Sequence, residues 1–279
     1  MAARAPVAVL MYHALLAGPP AAGVHPVHIG VEAFAGQLAW LHAQGYVAVS
    51  VAELAAGRRS GPPPGARLVA ITFDDGYLSL LDHAAPLLAR YGFRATLFLT
   101  TGFVGQPDFT AAPDFAPTTP PGDRPLTWAE VRALRDAGWA IEAHSHRHRP
   151  HANLAPAGLR QELAHSRDLI GRELGHPPRF YAFPYGSYDR HALRALAGAG
   201  YRAGFSVHGG LVTPASDGRR LPRLEINTST ALRVFEKLVR TGYASPAEKY
   251  RARLRDALFH YPVLKDGIQK ALVALESGF

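Results

Sequence analysis

Two adjacent carboxylates, Asp74 and Asp75, close the apolar run Leu68-Val69-Ala70-Ile71-Thr72-Phe73 and are followed at once by Gly76. A run of this kind suits a strand buried on both faces, as in a parallel sheet. Like charges at the rim of an apolar core are costly unless a cation or a reaction uses them. Successive strand residues point to opposite faces, so the two carboxylates are predicted to diverge and to do different jobs. A strand ending in an ordinary Asp-Gly turn would carry the same residues, so the pair needs corroboration elsewhere in the chain.

That corroboration is a histidine cluster about seventy residues on, Ala143-His144-Ser145-His146-Arg147-His148-Arg149-Pro150-His151, just past another predicted strand. In parallel α/β folds the C-terminal ends of the strands converge on one face, where sites are built. One carboxylate with two histidines makes a metal site that leaves a coordination position open for water. The chain has no cysteine, so any metal is held by His, Asp or Glu, and 14 histidines supply the ligands. The absence of cysteine also excludes disulfides.

The 279 residues, 48% hydrophobic and 19% charged, describe an ordinary globular chain with room for a substantial core. The formal charge of +8 raises the question of nucleic acid. The arginines, however, are scattered through predicted helices rather than gathered into a stripe with interleaved aromatics, so nucleic acid is not the expected partner. Anionic glycan or cell-wall material suits the same charge. No apolar run reaches the roughly 18 to 20 residues of a spanning helix, so no transmembrane segment is expected. Within residues 1–16, 7–11 read as a first strand rather than as part of a signal peptide. A cytoplasmic location is the resulting expectation, with an extracytoplasmic one if a leader has been trimmed.

Strands are predicted at 7–11, 46–51, 68–75, 95–100, 139–143, 180–183, 203–207 and 221–226. Between them come helices at 32–44, 52–56, 78–91, 127–137, 156–174, 189–199 and 229–239. Pro86 is expected to kink or split its helix, and Thr127-Trp128-Ala129-Glu130 reads as a capping box. The segment 102–125 is too long for an ordinary connection and is predicted to line a cleft or to move. A basic helical tail, 246–275, carries Tyr250, Leu254, Leu258 and Tyr261 at helical spacing and is expected to pack on the main domain. The alternation of strand and helix points to a parallel α/β barrel or wound sheet.

Thr72-Phe73-Asp74-Asp75-Gly76, then His144-Ser145-x-x-His148, then Phe183-Pro184-Tyr185-Gly186-Ser187-Tyr188-Asp189 resembles the polysaccharide deacetylase family (NodB homology, carbohydrate esterase family 4). The opening Leu10-Met11-Tyr12-His13 is similar to the branch that contains the poly-N-acetylglucosamine deacetylases. The resemblance spans about 7–226. It implies a distorted (β/α)7 barrel over 1–242, followed by a C-terminal helical extension over 243–279. It further implies a divalent metal, Zn2+ first with Co2+ or Ni2+ as alternatives, and removal of acetyl from an N-acetylated glycan. Action on a small-molecule or non-sugar amide is the alternative on the same fold, and a non-catalytic glycan-binding module is the rival from another class.

Carried over by motif, the resemblance makes Asp75, His144 and His148 the metal ligands and Asp74 the general base. It makes the Tyr185 N–H the donor to the oxyanion. His146 and His151 compete for the ligand role, and His144 with His151 is an alternative register; His148 is preferred. The family often carries an Arg two residues before the Pro of the third motif, to pair with the base. Ala182 stands there instead, and Arg223 is the predicted substitute. The family's late catalytic His is not evident either. His13 at the end of the first strand and His208 are the candidates for the acid, with His13 favoured.

Overall fold

The longest strand, β5 (Arg67–Asp75), is the axis of the computed structural model, which describes residues 5–19, 24–56, 65–110, 120, 122–152 and 154–260. Every residue of it except Arg67 is buried, as a strand covered on both faces requires. The other strands are β1 (Ala8–Tyr12), β2 (Leu15–Leu16), β3 (Ile29–Gly30), β4 (Tyr46–Ala48), β6 (Thr96–Leu99), β7 (Ala140–Ala143), β8 (Phe180–Ala182), β9 (Ala203–Phe205) and β10 (Leu224–Glu225). The main sheet runs β10-β1-β5-β6-β7-β8-β9, with β4 paired beside the start of β5. All its ladders are parallel. A parallel bridge between Phe205 and Leu221 brings the β9 end back to the segment entering β10. The curled sheet therefore closes on itself as a (β/α) barrel.

Alternation along β5 divides the core into two layers. Ala70 joins Val9, Phe98, Ala182, Phe205 and Leu221 in a cluster inside the curl. Ile71 and Phe73 face outward with Leu10 and Tyr12, against helix residues such as Phe34, Leu38, Leu159 and Leu163. Each large apolar side chain buried this way contributes roughly 1.5–3 kcal/mol.

The helices are α1 (Val31–Ala43), α2 (Val51–Ala56), α3 (Ala85–Arg90), α4 (Trp128–Asp136), α5 (Pro156–Leu174), α6 (Arg190–Gly198), α7 (Leu232–Thr241) and α8 (Pro246–His260). Pro86 lies in the first turn of α3, and the preceding turn, Leu80–Ala84, widens to a π-helix. Proline lacks an N–H and crowds the carbonyl four residues back, so one predicted helix becomes two pieces. Thr127 and Glu130 form the predicted capping box on α4. The helix predicted from 229 starts only at Leu232, because the Asn227 side chain accepts from the Ser229 N–H and holds a turn there.

Of the apolar stripe proposed for the tail, Leu254 is half-buried. Tyr250 is 59% exposed. Contact comes from Phe259, whose ring meets Tyr188 and the Arg220 guanidinium, and from Asp256, paired with Arg220 at 2.6 Å. Tyr261 and the rest of 261–279 lie outside the described residues, as do 111–119 and 121 of the long connection. The described ends of that connection are pinned: the Gly105 N–H donates to the Leu126 carbonyl and the Leu126 N–H to that of Gly76. Among the described residues no helix is long and apolar enough to cross a membrane.

Candidate active site

The carboxylates of Asp74 and Asp75 are both buried at the C-terminal end of β5, and they do not diverge. Asp74 Oδ2 lies 3.6 Å and Asp75 Oδ1 3.7 Å from the same atom, His144 Nε2. Strand alternation fails here because Asp75 has left-handed φ, 71°, which turns its side chain back toward its neighbour's. The expectation of opposite directions is corrected on this point. Their different tasks follow from different partners.

Asp74 receives both ends of the Arg223 guanidinium, each at 2.7 Å. Arg223 has no exposed surface; its Nε donates to the Ser206 carbonyl and it lies over the Phe98 ring. Ala182, where the family often carries an Arg, sits in the same interior cluster. The guanidinium thus comes from the β10 side of the barrel instead of β8. Burial pushes the Asp74 pKa up, but the Arg223 charge and hydrogen bonds, with His144 beside them, outweigh it, and the carboxyl is held below its ordinary value.

Asp75 behaves oppositely. Burial and the Asp74 charge push its pKa well up, and the hydrogen bond from Thr100 Oγ1, 3.3 Å, does not reverse this. Asp75, His144 and His148 each offer one ligand atom, all within 4.8 Å of one another. His144 Nδ1 faces the Ala182 carbonyl at 2.9 Å, so it carries the proton and Nε2 presents its lone pair. That Nε2 lies 3.1 Å from His148 Nε2 and faces both carboxylates. Two imidazole nitrogens and a carboxylate converging out of water make a donor set that fits a divalent cation.

The raised pKa has a measurable consequence. A carboxyl whose folded pKa lies above its unfolded one contributes stability at low pH that is lost as pH rises through the folded value. Compared with Asp75→Asn, both treated with a chelator, wild type should therefore lose melting temperature as pH rises above the ordinary carboxylate range, and added Zn2+ should restore wild type alone. Ligand at 100 times its Kd adds about 2.7 kcal/mol. A difference between wild type and Asp75→Asn that does not change with pH would contradict the assignment.

The histidine loop between β7 and α5 is shaped by backbone that few side chains adopt. Among the described residues the non-glycine positions with positive φ are Asp75, Ser145, His148 and Tyr185, all at this site. Such strain persists only where surroundings impose it. Glu162 of α5 is buried and accepts from the His146 and Arg147 N–H groups at 3.0 and 2.7 Å. A Cβ on Gly102 would fall on the His146 carbonyl, so the β6 end closes the loop from the other side. Thr100, the Ser145 hydroxyl and Glu162 escape sequence reasoning. Ser145 at least lies inside the second motif, whereas nothing local marks Glu162.

The other candidates fall into place by partner. His151 Nε2 meets the Tyr181 hydroxyl at 2.6 Å and its Nδ1 the Arg149 carbonyl at 2.7 Å, which removes it from the ligand group. His146 turns to Thr101 and His165. His13, half-buried beyond β1, acts electrostatically on Asp74 and His144. Burial pulls its pKa down to about 3, with ionised Asp74 opposing. His208 instead bonds Tyr188 at 3.0 Å and feels Arg255, Arg220 and Asp256, away from the carboxylate pair. Tyr185 sits in the tight turn Pro184–Gly186, its ring 46% exposed and edge-on to His148.

A curled parallel (β/α) barrel with a buried Asp-His-His group and a second, ionised carboxylate at its C-terminal rim is the architecture of a hydrolase. The profile described as polysaccharide deacetylase matches residues 61–204, and the chain belongs to that family of enzymes. It is 26% identical over 202 residues to YxkH of Bacillus subtilis, a protein named for the same family; the match covers 72% of this chain and 64% of YxkH. It is 24% identical over 227 residues to the poly-beta-1,6-N-acetyl-D-glucosamine N-deacetylase of Staphylococcus epidermidis, covering 78% of this chain and 73% of that one. Among solved structures, the Streptococcus pyogenes deacetylase PplD in complex with acetate superposes with a TM-score of 0.72 at 23% identity, over 86% of this chain and 99% of PplD. IcaB from Ammonifex degensii gives 0.66, also at 23%, over 83% and 96%. At that identity the likeness shows the fold, which is the NodB-type barrel.

Proposed function

We propose that the protein is a metal-dependent N-deacetylase of N-acetylglucosamine-type glycan that releases acetate. The observation that carries this reading is the split of one carboxylate pair. Asp75 joins two imidazole nitrogens in a cation-sized group, while Asp74, beside it, is kept ionised by Arg223. Relatives named as poly-beta-1,6-N-acetyl-D-glucosamine N-deacetylases support the substrate class.

Asp75, His144 and His148 would hold the cation, which when bound supplies Lewis acidity, making water easier to deprotonate and a carbonyl easier to attack. Asp74 takes a proton from the attacking water as its oxygen adds to the acetamide carbonyl carbon. Arg223 keeps Asp74 ionised and fixes both of its oxygens. The Tyr185 N–H faces the oxyanion that develops. The C–N bond then breaks as the proton taken by Asp74 passes through His13 to the leaving nitrogen, freeing acetate and the sugar amine and returning Asp74 to its ionised form. His13 rests neutral, and ionised Asp74 is the neighbour that favours its charged form.

The test is acetate release from oligomers of β-1,6-linked N-acetylglucosamine, with and without chelator, against small N-acetylated amines. Chelator-sensitive release from the oligomers is expected. Release only from the small amines would move the substrate class, and saturable glycan binding with no acetate release under any metal would remove the enzyme reading.

A further inference from the structure

His151 was a rival for the ligand role, and the structure gives it different work. Its Nδ1 faces the carbonyl oxygen of Arg149, which only accepts, so Nδ1 carries the proton. Burial keeps the ring neutral, with its pKa pulled down to about 4, so Nε2 is the acceptor for the Tyr181 hydroxyl at 2.6 Å. The Ser145 side chain lies beside Tyr181 and offsets part of the rise that burial imposes on the phenol's pKa. Ser145 Oγ accepts from the His148 N–H at 2.9 Å. The relay runs from the His148 N–H to Ser145, across to Tyr181, from the Tyr181 hydroxyl to His151 and from His151 to the Arg149 carbonyl. All four side chains are buried.

This relay leaves the backbone at His148 and returns to it at Arg149, one residue on. It therefore clamps the turn in which Ser145 and His148 hold left-handed φ of 73° and 57°. Those conformations disfavour ordinary side chains and need an outside restraint. We infer that Tyr181 and His151 are positioning residues that hold the His148 imidazole at the angle the cation site requires. Neither residue belongs to the group of converging ligand atoms; both act through the loop. Partners outside the ligand shell set ligand orientation, and their loss typically weakens metal binding by about 10–100-fold.

The inference rests on the reading that Asp75, His144 and His148 hold a divalent cation, and the experiment separates the two. Full-length wild type, Tyr181→Phe, His151→Gln and Asp75→Asn are stripped of metal and titrated with Zn2+ against a chromophoric chelator. Melting temperatures are recorded in the stripped state. Tyr181→Phe is expected to melt within a few degrees of wild type yet bind Zn2+ about 10–100-fold more weakly. His151→Gln, which keeps an acceptor for the Tyr181 hydroxyl, is expected to fall between the two and serves alone if Tyr181→Phe does not fold. Failure of wild type to bind Zn2+, or equal binding by Asp75→Asn, would overturn the cation reading. If wild type binds, Asp75→Asn does not, and the folded relay variants bind within twofold of wild type, the relay inference alone is overturned.

Discussion

Asp74→Asn is expected to lose turnover by a factor of about 10²–10⁴, the usual worth of a positioned general base, while keeping Zn2+ binding. Asp75→Asn should lose both. The two substitutions make the same chemical change one residue apart, so local polarity cannot account for a difference between them. Backbone geometry cannot either, since asparagine is among the residues that tolerate the left-handed φ seen at Asp75. What differs is the set of partners: Asp74 is paired bidentately with Arg223, whereas Asp75 converges on His144 and His148. Acetate release and a Zn2+ titration on the same preparations read the two losses separately. Full activity with unchanged metal binding in either variant would sink the division of labour.

Arg223→Met has the larger expected effect on stability. It leaves the Asp74 carboxylate buried without its partner, a change that costs about 3–5 kcal/mol in comparable buried pairs. The sign with pH follows from the lowered Asp74 pKa. The pair contributes stability above the ordinary carboxylate range, and that contribution is lost as pH falls through the lowered value. Wild type and variant should therefore differ most near neutral pH and converge in acid. Activity should follow, because a carboxyl stripped of its guanidinium holds its proton to higher pH and the acidic limb of the rate profile moves up. Adding Asp74→Asn to Arg223→Met should recover part of the lost stability, since the stranded charge is gone. Denaturant unfolding at pH 7 and at a pH below the ordinary carboxylate range measures this, and a double variant no more stable than Arg223→Met would contradict it.

Much of the site is legible in the chain because its signals are local. A strand buried on both faces must read as a continuous apolar run, so 68–75 declares itself, and two carboxylates at its end stand out against it. The capping box at Thr127 and the break at Pro86 are likewise short-range effects of side chain on adjacent backbone. Element ends were less faithful. The Asn227 turn delays α7 by a few residues, and α8 makes contacts through Phe259 and Asp256 while Tyr250 of the predicted stripe is exposed.

The sequence by itself determined the parallel α/β class, and its resemblance to a known family supplied the Asp-His-His set and the need for a positive partner to the second carboxylate. It also named the candidate partner, though not its geometry. Only the tertiary structure decided that Arg223, 149 residues from Asp74, enters the barrel with no exposed surface and grips both oxygens. Closure of the sheet through Phe205 and Leu221 is what carries it there. Tertiary packing also decided that Asp74 and Asp75 converge, because the rotation at Asp75 is imposed by its surroundings and overrides the alternation of an ideal strand. And it separated His148 from His151, three links apart in one relay, since which imidazole faces the carboxylates depends on what the rest of the barrel places behind each ring.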